Sequence, residues 1–164
     1  MRLRDTYVEI NLDNMAYNLK KIREYVGEDV AIAAVVKANG YGHGATKIAK
    51  TIMENGGDYL AVATLTEALE LRNIYPEYKI LIMGYTPNDY LEHVVDNNIA
   101  QCVFSINQAR LLDDLRGFGK GKDYLKFYVP GTSPLKSFSN LCDALYEAKH
   151  LSFVVLIEQN NLEI

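Results

Sequence analysis

The sequence has no run of about 18 apolar residues, so no segment is expected to cross a membrane as a helix. It has no basic stripe. Its 17 Lys and Arg stand against 21 Asp and Glu, and the formal net charge is -4. A mildly acidic chain of this kind is not expected to bind nucleic acid. Cysteine is scarce: Cys102 and Cys142 are isolated and apolar-flanked. Metal-ligand spacing is absent, so no metal is expected, and both thiols are read as free and buried in a reducing cytoplasm. Met1-Arg2-Leu3-Arg4-Asp5 is basic without an apolar stretch behind it, which predicts no signal peptide. Low-complexity segments are also missing.

What is present is material for a core. The 164 residues are 49% hydrophobic and 10% aromatic, within the usual size of one domain. Val8-Glu9-Ile10 reads as a short strand, and Asn11 to Asp13 offer helix N-caps. Leu12, Met15, Leu19, Ile22 and Val26 then recur at helical spacing. Val30 to Val36 is nearly all apolar and reads as a strand buried on both faces. A helix face follows at Ala45, Ile48, Ala49, Ile52 and Met53, then a second buried strand at Tyr59 to Ala63.

Thr64-Leu65-Thr66-Glu67 is a capping box opening a helix that runs to Tyr75-Pro76. Lys79 to Met83 is the third strand. Pro87 precedes a helix with Leu91, Val94 and Val95, and Ala100 to Phe104 is the fourth strand. Ser105-Ile106-Asn107-Gln108 is a second capping box. Further strands are expected at Tyr124–Val129 and Ser152–Ile157, with a helix through Leu141 and Ala148 between them. This cadence predicts right-handed βαβ units and a parallel sheet. Two architectures remain open on the pattern alone. One is an open doubly wound sheet. The other is an incomplete (β/α)8 barrel, which leaves two unpaired edges.

The chemistry concentrates at Ala33 to Gly44, where an apolar strand ends on Lys37 and a Gly-Tyr-Gly-His-Gly turn follows. A strand-end lysine either snorkels to solvent or keeps its amine for work such as a Schiff base with an aldehyde. Glycines at 40, 42 and 44 permit close backbone approach, and exposed N–H groups there could take an anion. The spacing is not the Gly-x-Gly-x-x-Gly of dinucleotide sites, and no acidic residue closes the second strand. His43 reads as a structural hydrogen-bonding residue more readily than as a catalyst.

Val35-Val36-Lys37-Ala38-Asn39-Gly40-Tyr41-Gly42-His43-Gly44 resembles the pyridoxal-phosphate attachment motif of alanine racemases. Glu9-Ile10-Asn11-Leu12-Asp13 upstream is similar to that family's opening segment. So are Ala61-Val62-Ala63-Thr64 and Glu67-Ala68-Leu69-Glu70-Leu71-Arg72 downstream, and the likeness runs from about Tyr7 to Lys126. The resemblance implies an α/β fold, an incomplete TIM-like (β/α)8 barrel of about five to six βα units. It implies pyridoxal 5'-phosphate as cofactor, alanine as the small amino-acid substrate, D-alanine for peptidoglycan as the product's use, and a homodimer. It implies that Lys37 holds the cofactor and takes the α-proton from one face, and that Tyr41 bonds the cofactor phosphate. Lys126 falls where the family often carries a carbamylated lysine; an ordinary strand-edge lysine is the other reading.

The likeness departs after Phe127. The family continues with an aspartate, a Thr-Gly turn and an arginine, whereas this chain reads Tyr128-Val129-Pro130-Gly131-Thr132-Ser133-Pro134. Residues 1–127 are therefore read as the N-terminal part of a racemase-like barrel and 128–164 as an altered continuation. The family's later β-rich domain supplies a tyrosine as second base. The expectation is a truncated racemase, inactive by itself. The alternatives are a non-catalytic cofactor-binding half-barrel and a subunit completed by a second chain.

Overall fold

A computed structural model of the chain describes residues 7–103 and 105–116. The expectations placed on Lys126, on Cys142 and on the strands and helix after residue 120 lie outside the described residues. Helix α1 (Leu12–Val26) starts where the sequence places it: the Asn11 side chain accepts from the Asn14 N–H at 2.9 Å. Gly27, at φ +80°, ends it by donating its N–H to the Arg23 carbonyl. Then come β1 (Ala33–Val35), a short turn α2 (Lys37–Tyr41) and α3 (Ala45–Glu54). The series continues with β2 (Tyr59–Val62), α4 (Leu65–Ile74) and β3 (Ile80–Ile82). A 3-10 turn (Asn88–Tyr90) leads into α5 (Leu91–Asp96), and β4 (Ala100–Gln101) and α6 (Ile106–Arg116) close the described part.

The four strands pair in parallel in the order β1-β2-β3-β4. Ala34 stands beside Leu60 and Leu60 beside Ile80; Val35, Ala61, Leu81 and Ala100 form the next row. A doubly wound sheet reverses its strand order at a switch point. This order runs one way, so right-handed crossovers place every helix on one face, as in a (β/α) barrel. Val36, Leu60, Val62, Ile80 and Ile82 alternate toward that face and pack against Ile48, Ala49, Ile52, Ala68, Leu71 and Val94.

Two expectations need correction. Val8 to Ile10 is not a strand, because no described strand pairs with it, and Val8 is exposed. The strand read at Val30 to Val36 shortens to Ala33–Val35 and is not buried on both faces: Val35 is 43% exposed. Among the described residues β1 is an edge strand with one neighbour, which leaves one side open. For the same reason Leu12 and Ile22 of α1 stay exposed although they sit on its apolar face. An apolar groove of about 570 Å³ runs between α1 and β1, past Met15, Leu19 and Ala34.

Two arginines bind the N-terminal ends of the strands. Arg23 on α1 donates to the carbonyls of Gly27, Val30 and Gly56 and pairs with Asp58, whose carboxylate also accepts the Ile32 N–H at 2.7 Å. Arg72 on α4 does the same for β3 and β4. Its Nε donates to Asn97 O and its Nη2 to Asn98 O, both at 2.9 Å. Its Nη1 reaches Tyr75 O at 3.2 Å, Pro76 O at 2.5 Å and Tyr78 O at 2.8 Å.

The Arg23–Asp58 clasp makes stability depend on acid. Burial pushes the Asp58 carboxyl up, but the Ile32 N–H, the Arg23 hydrogen bond and the charges of Arg23 and Lys79 outweigh it, so the pKa falls below 3.8. The unfolded chain takes up this proton first. The stability Asp58 contributes is therefore complete above pH 3.8 and lost as pH drops through the lower folded value. The stability gap between wild type and Asp58→Asn, measured by urea unfolding, is expected to be flat from neutral pH down to about pH 5 and to shrink below pH 4. A gap that stayed constant to pH 2 would remove the charge argument.

Candidate active site

The candidate site residues lie at the C-terminal ends of the strands, opposite the arginine clasps. Val36 continues β1 by donating its N–H to Ala61 O at 2.8 Å and is buried. Lys37 comes next, half-buried. The chain then turns left-handed: φ is +50° at Ala38, +54° at Asn39, +62° at Gly40 and +53° at Tyr41. Each non-glycine residue costs roughly 1–2 kcal/mol in that region. Such strain persists only where surrounding bonds over-determine it, and it gathers at functional sites.

The determining bonds are local. Gly40 N–H donates to Val36 O at 2.8 Å and Gly44 N–H to Asn39 O at 2.9 Å. His43 N–H donates to Gly40 O at 3.0 Å, while its Nδ1 lies 2.9 Å from the same oxygen. The Asn39 side chain accepts the Ala45 N–H at 2.9 Å and so starts α3. Gly40 is required for space as well, since a methyl there would stand 2.7 Å from Ile48 Cδ1 and 3.3 Å from Ala45 N.

One expectation needs correction here. The N–H groups of Gly40, Gly42 and Gly44 bond within the turn and are not held out for an anion. The glycines shape the turn; they do not form an anion nest. His43 is, as read, a hydrogen-bonding residue of the turn.

Two polar ends stay available. The Lys37 amine makes no hydrogen bond or ion pair with another described residue and lies 5.9 Å from the centre of the Tyr41 ring. Tyr41 is 60% exposed, and its hydroxyl bonds no other described residue. The structure thus brings Lys37 and Tyr41 together.

Three features escaped the sequence reading. Glu67, read as a helix cap, also accepts the Ala38 N–H at 2.7 Å from the neighbouring strand's turn. Gly84, read as a strand end, passes so close to Ala63 that a Cβ would strike its carbonyl oxygen. Gln108 does more than donate its N–H to Ser105 Oγ. Its side chain donates to Thr86 O at 2.9 Å, beside a buried Thr86–Gln101 hydrogen bond of 2.6 Å. No local pattern announces such cross-strand partners. Cys102 is a buried free thiol whose pKa burial raises to about 11. Among the described residues no cluster of His, Cys, Asp or Glu could hold a metal, and no helix is long and apolar enough to cross a membrane.

The family model described as "Alanine racemase, N-terminal domain" matches residues 10–157. The chain belongs to the alanine racemase family. An alanine racemase of Clostridium perfringens is 49% identical over 112 residues, 68% of this chain and 29% of its own length. An alanine racemase structure from Clostridium difficile 630 superposes with a TM-score of 0.77 at 30% identity, covering 92% of this chain and 41% of that one. One from Bacillus anthracis with bound L-Ala-P gives 0.77 at 31% identity, covering 94% and 42%. The chain spans about 30% of the length of the curated relatives it matches. In alanine racemase terms the described part is a run of consecutive βα units of a TIM-like barrel, with the Lys37 turn at its C-terminal rim.

Proposed function

We propose that this chain carries the cofactor-holding part of a pyridoxal-phosphate-dependent amino-acid racemase acting on alanine, in a cytoplasmic homodimer that supplies D-alanine for peptidoglycan. The observation that supports it best is the Lys37 amine, unpaired among the described residues, at the C-terminal end of β1 beside an exposed tyrosine. A primary amine with no carboxylate partner fits attachment to an aldehyde, and a free phenol fits a phosphate oxygen. Lys37 would hold the cofactor through Nζ, and Tyr41 would donate its hydroxyl to the phosphate. When bound, pyridoxal phosphate supplies an electron sink for the charge left at the α-carbon. Lys37 Nζ, released when the substrate's own amine takes its place on the cofactor, would then take the α-proton from one face. Inverting the centre also needs a proton delivered to the opposite face. Among the described residues only Lys37 is proposed, for the first of these roles, and Lys126 is proposed as a carbamylated lysine outside them.

The test is direct. Purified chain is incubated with pyridoxal phosphate, reduced with borohydride and mapped by peptide mass spectrometry. Label is expected on Lys37, and Lys37→Gln is expected to lose it. Label confined to other lysines would end the proposal.

A further inference from the structure

We infer that Glu67 is a positioning residue that holds the Lys37 turn from the neighbouring βα unit. The inference rests on the cofactor reading of Lys37 and extends it. Glu67 sits at the third position of α4, where its carboxylate caps the helix. Its Oε2 accepts the N–H groups of Ala63 at 2.9 Å and Thr64 at 3.2 Å. Its other oxygen, Oε1, leaves α4 and accepts the Ala38 N–H at 2.7 Å. Among the described residues this is the hydrogen bond that ties residues 38–44 to another βα unit.

Lys37 is thereby held on both sides. The amide before it, at Val36, donates to Ala61 O of β2; the amide after it, at Ala38, donates to Glu67. Ala38 is also where the left-handed run begins, at φ +50°. Without an acceptor on that N–H, the first strained residue loses its outside restraint and the Lys37 backbone can leave the strand direction. A helix cap by itself needs one side-chain oxygen; glutamine serves in capping boxes as well as glutamate. The second oxygen is what only the carboxylate supplies. In Glu67→Gln the amide oxygen can still serve Ala63 and Thr64, and an NH2 group then faces the Ala38 N–H, donor against donor.

The experiment compares wild type, Glu67→Gln and Glu67→Ala as the full chain, by amide hydrogen exchange and by borohydride-trapped pyridoxal phosphate. Ala38 is expected to exchange about tenfold faster in both variants, as for loss of a hydrogen bond to a charged group. Thr64 is expected to speed up only in Glu67→Ala, where the cap is also lost. The pyridoxal phosphate concentration for half-labelling of Lys37 is expected to rise about tenfold in Glu67→Gln. Its melting temperature is expected to fall less than that of Glu67→Ala, the cap being kept. Unchanged exchange at Ala38 overturns the inference. So does wild-type labelling of Lys37 in a Glu67→Gln protein whose Ala38 amide is freed. A wild type that never labels at Lys37 counts against the cofactor reading instead, and the exchange comparison still decides whether Glu67 holds the turn.

Discussion

Arg72→Met is expected to lower the unfolding free energy by about 4 kcal/mol, a large share of the roughly 5–15 kcal/mol that holds a domain folded. The guanidinium serves five backbone carbonyls, those of Tyr75, Pro76, Tyr78, Asn97 and Asn98. They belong to the end of α4 and to the chain just before β3 and β4, so one side chain sets where two strands enter the sheet. Methionine matches the stem and supplies no donor. The carbonyls left behind must find water in a partly buried site. Burial lowers the Arg72 pKa and the charge of Glu77 opposes it, which marks a cation held away from solvent by its hydrogen bonds. Arg72→Lys tests geometry against charge. An ammonium has three donors on one atom where the fork has five N–H groups, so lysine is expected to recover less than half of the loss. Urea midpoints at constant slope measure both. A lysine variant as stable as wild type would show that charge alone is required.

Gly84→Ala is expected to cost about 3 kcal/mol, the upper range for overpacking a rigid site. The added methyl would fall on the Ala63 carbonyl oxygen, which is backbone and cannot rotate away. Gly84 follows Met83, whose N–H donates to Val62 O at 2.8 Å, and its own carbonyl accepts from Gln101 Nε2 at 2.7 Å. Forcing β3 away from Ala63 therefore strains both neighbouring strand exits. Gly42→Ala is the control. Gly42 is left-handed at φ +89° and ψ -3° with open space around it, so its substitution is expected to cost only about 1–2 kcal/mol, for conformation alone. Equal losses at the two positions in urea unfolding would mean that the close approach at Gly84 is not what requires glycine.

Much of the architecture was legible locally. Asn11, the Thr64–Glu67 box and the run from Lys79 to Met83 announce their elements, because caps and apolar runs act over a few residues. The two strand readings that failed share a cause. Val8 to Ile10 and the outer residues of Val30 to Val36 have the composition of buried strands, but burial needs a neighbour on each side, and composition does not say whether one is there. The reading of Gly40, Gly42 and Gly44 as an anion cradle failed because glycine spacing does not reveal where each N–H points. The left-handed turn spends them internally.

The sequence by itself determined the alternation of strands and helices, the lysine at the end of an apolar strand and the motif that identifies the family. These reside in residue type and short-range order. Tertiary structure alone decided the one-way strand order that makes the sheet barrel-like, and the five carbonyls gathered by Arg72. It also decided that a glutamate capping one helix holds the turn after Lys37 on the next strand. Each of these joins atoms far apart in the chain, 29 residues apart for Ala38 and Glu67. Only the packing of parallel strands side by side brings such groups within hydrogen-bond reach.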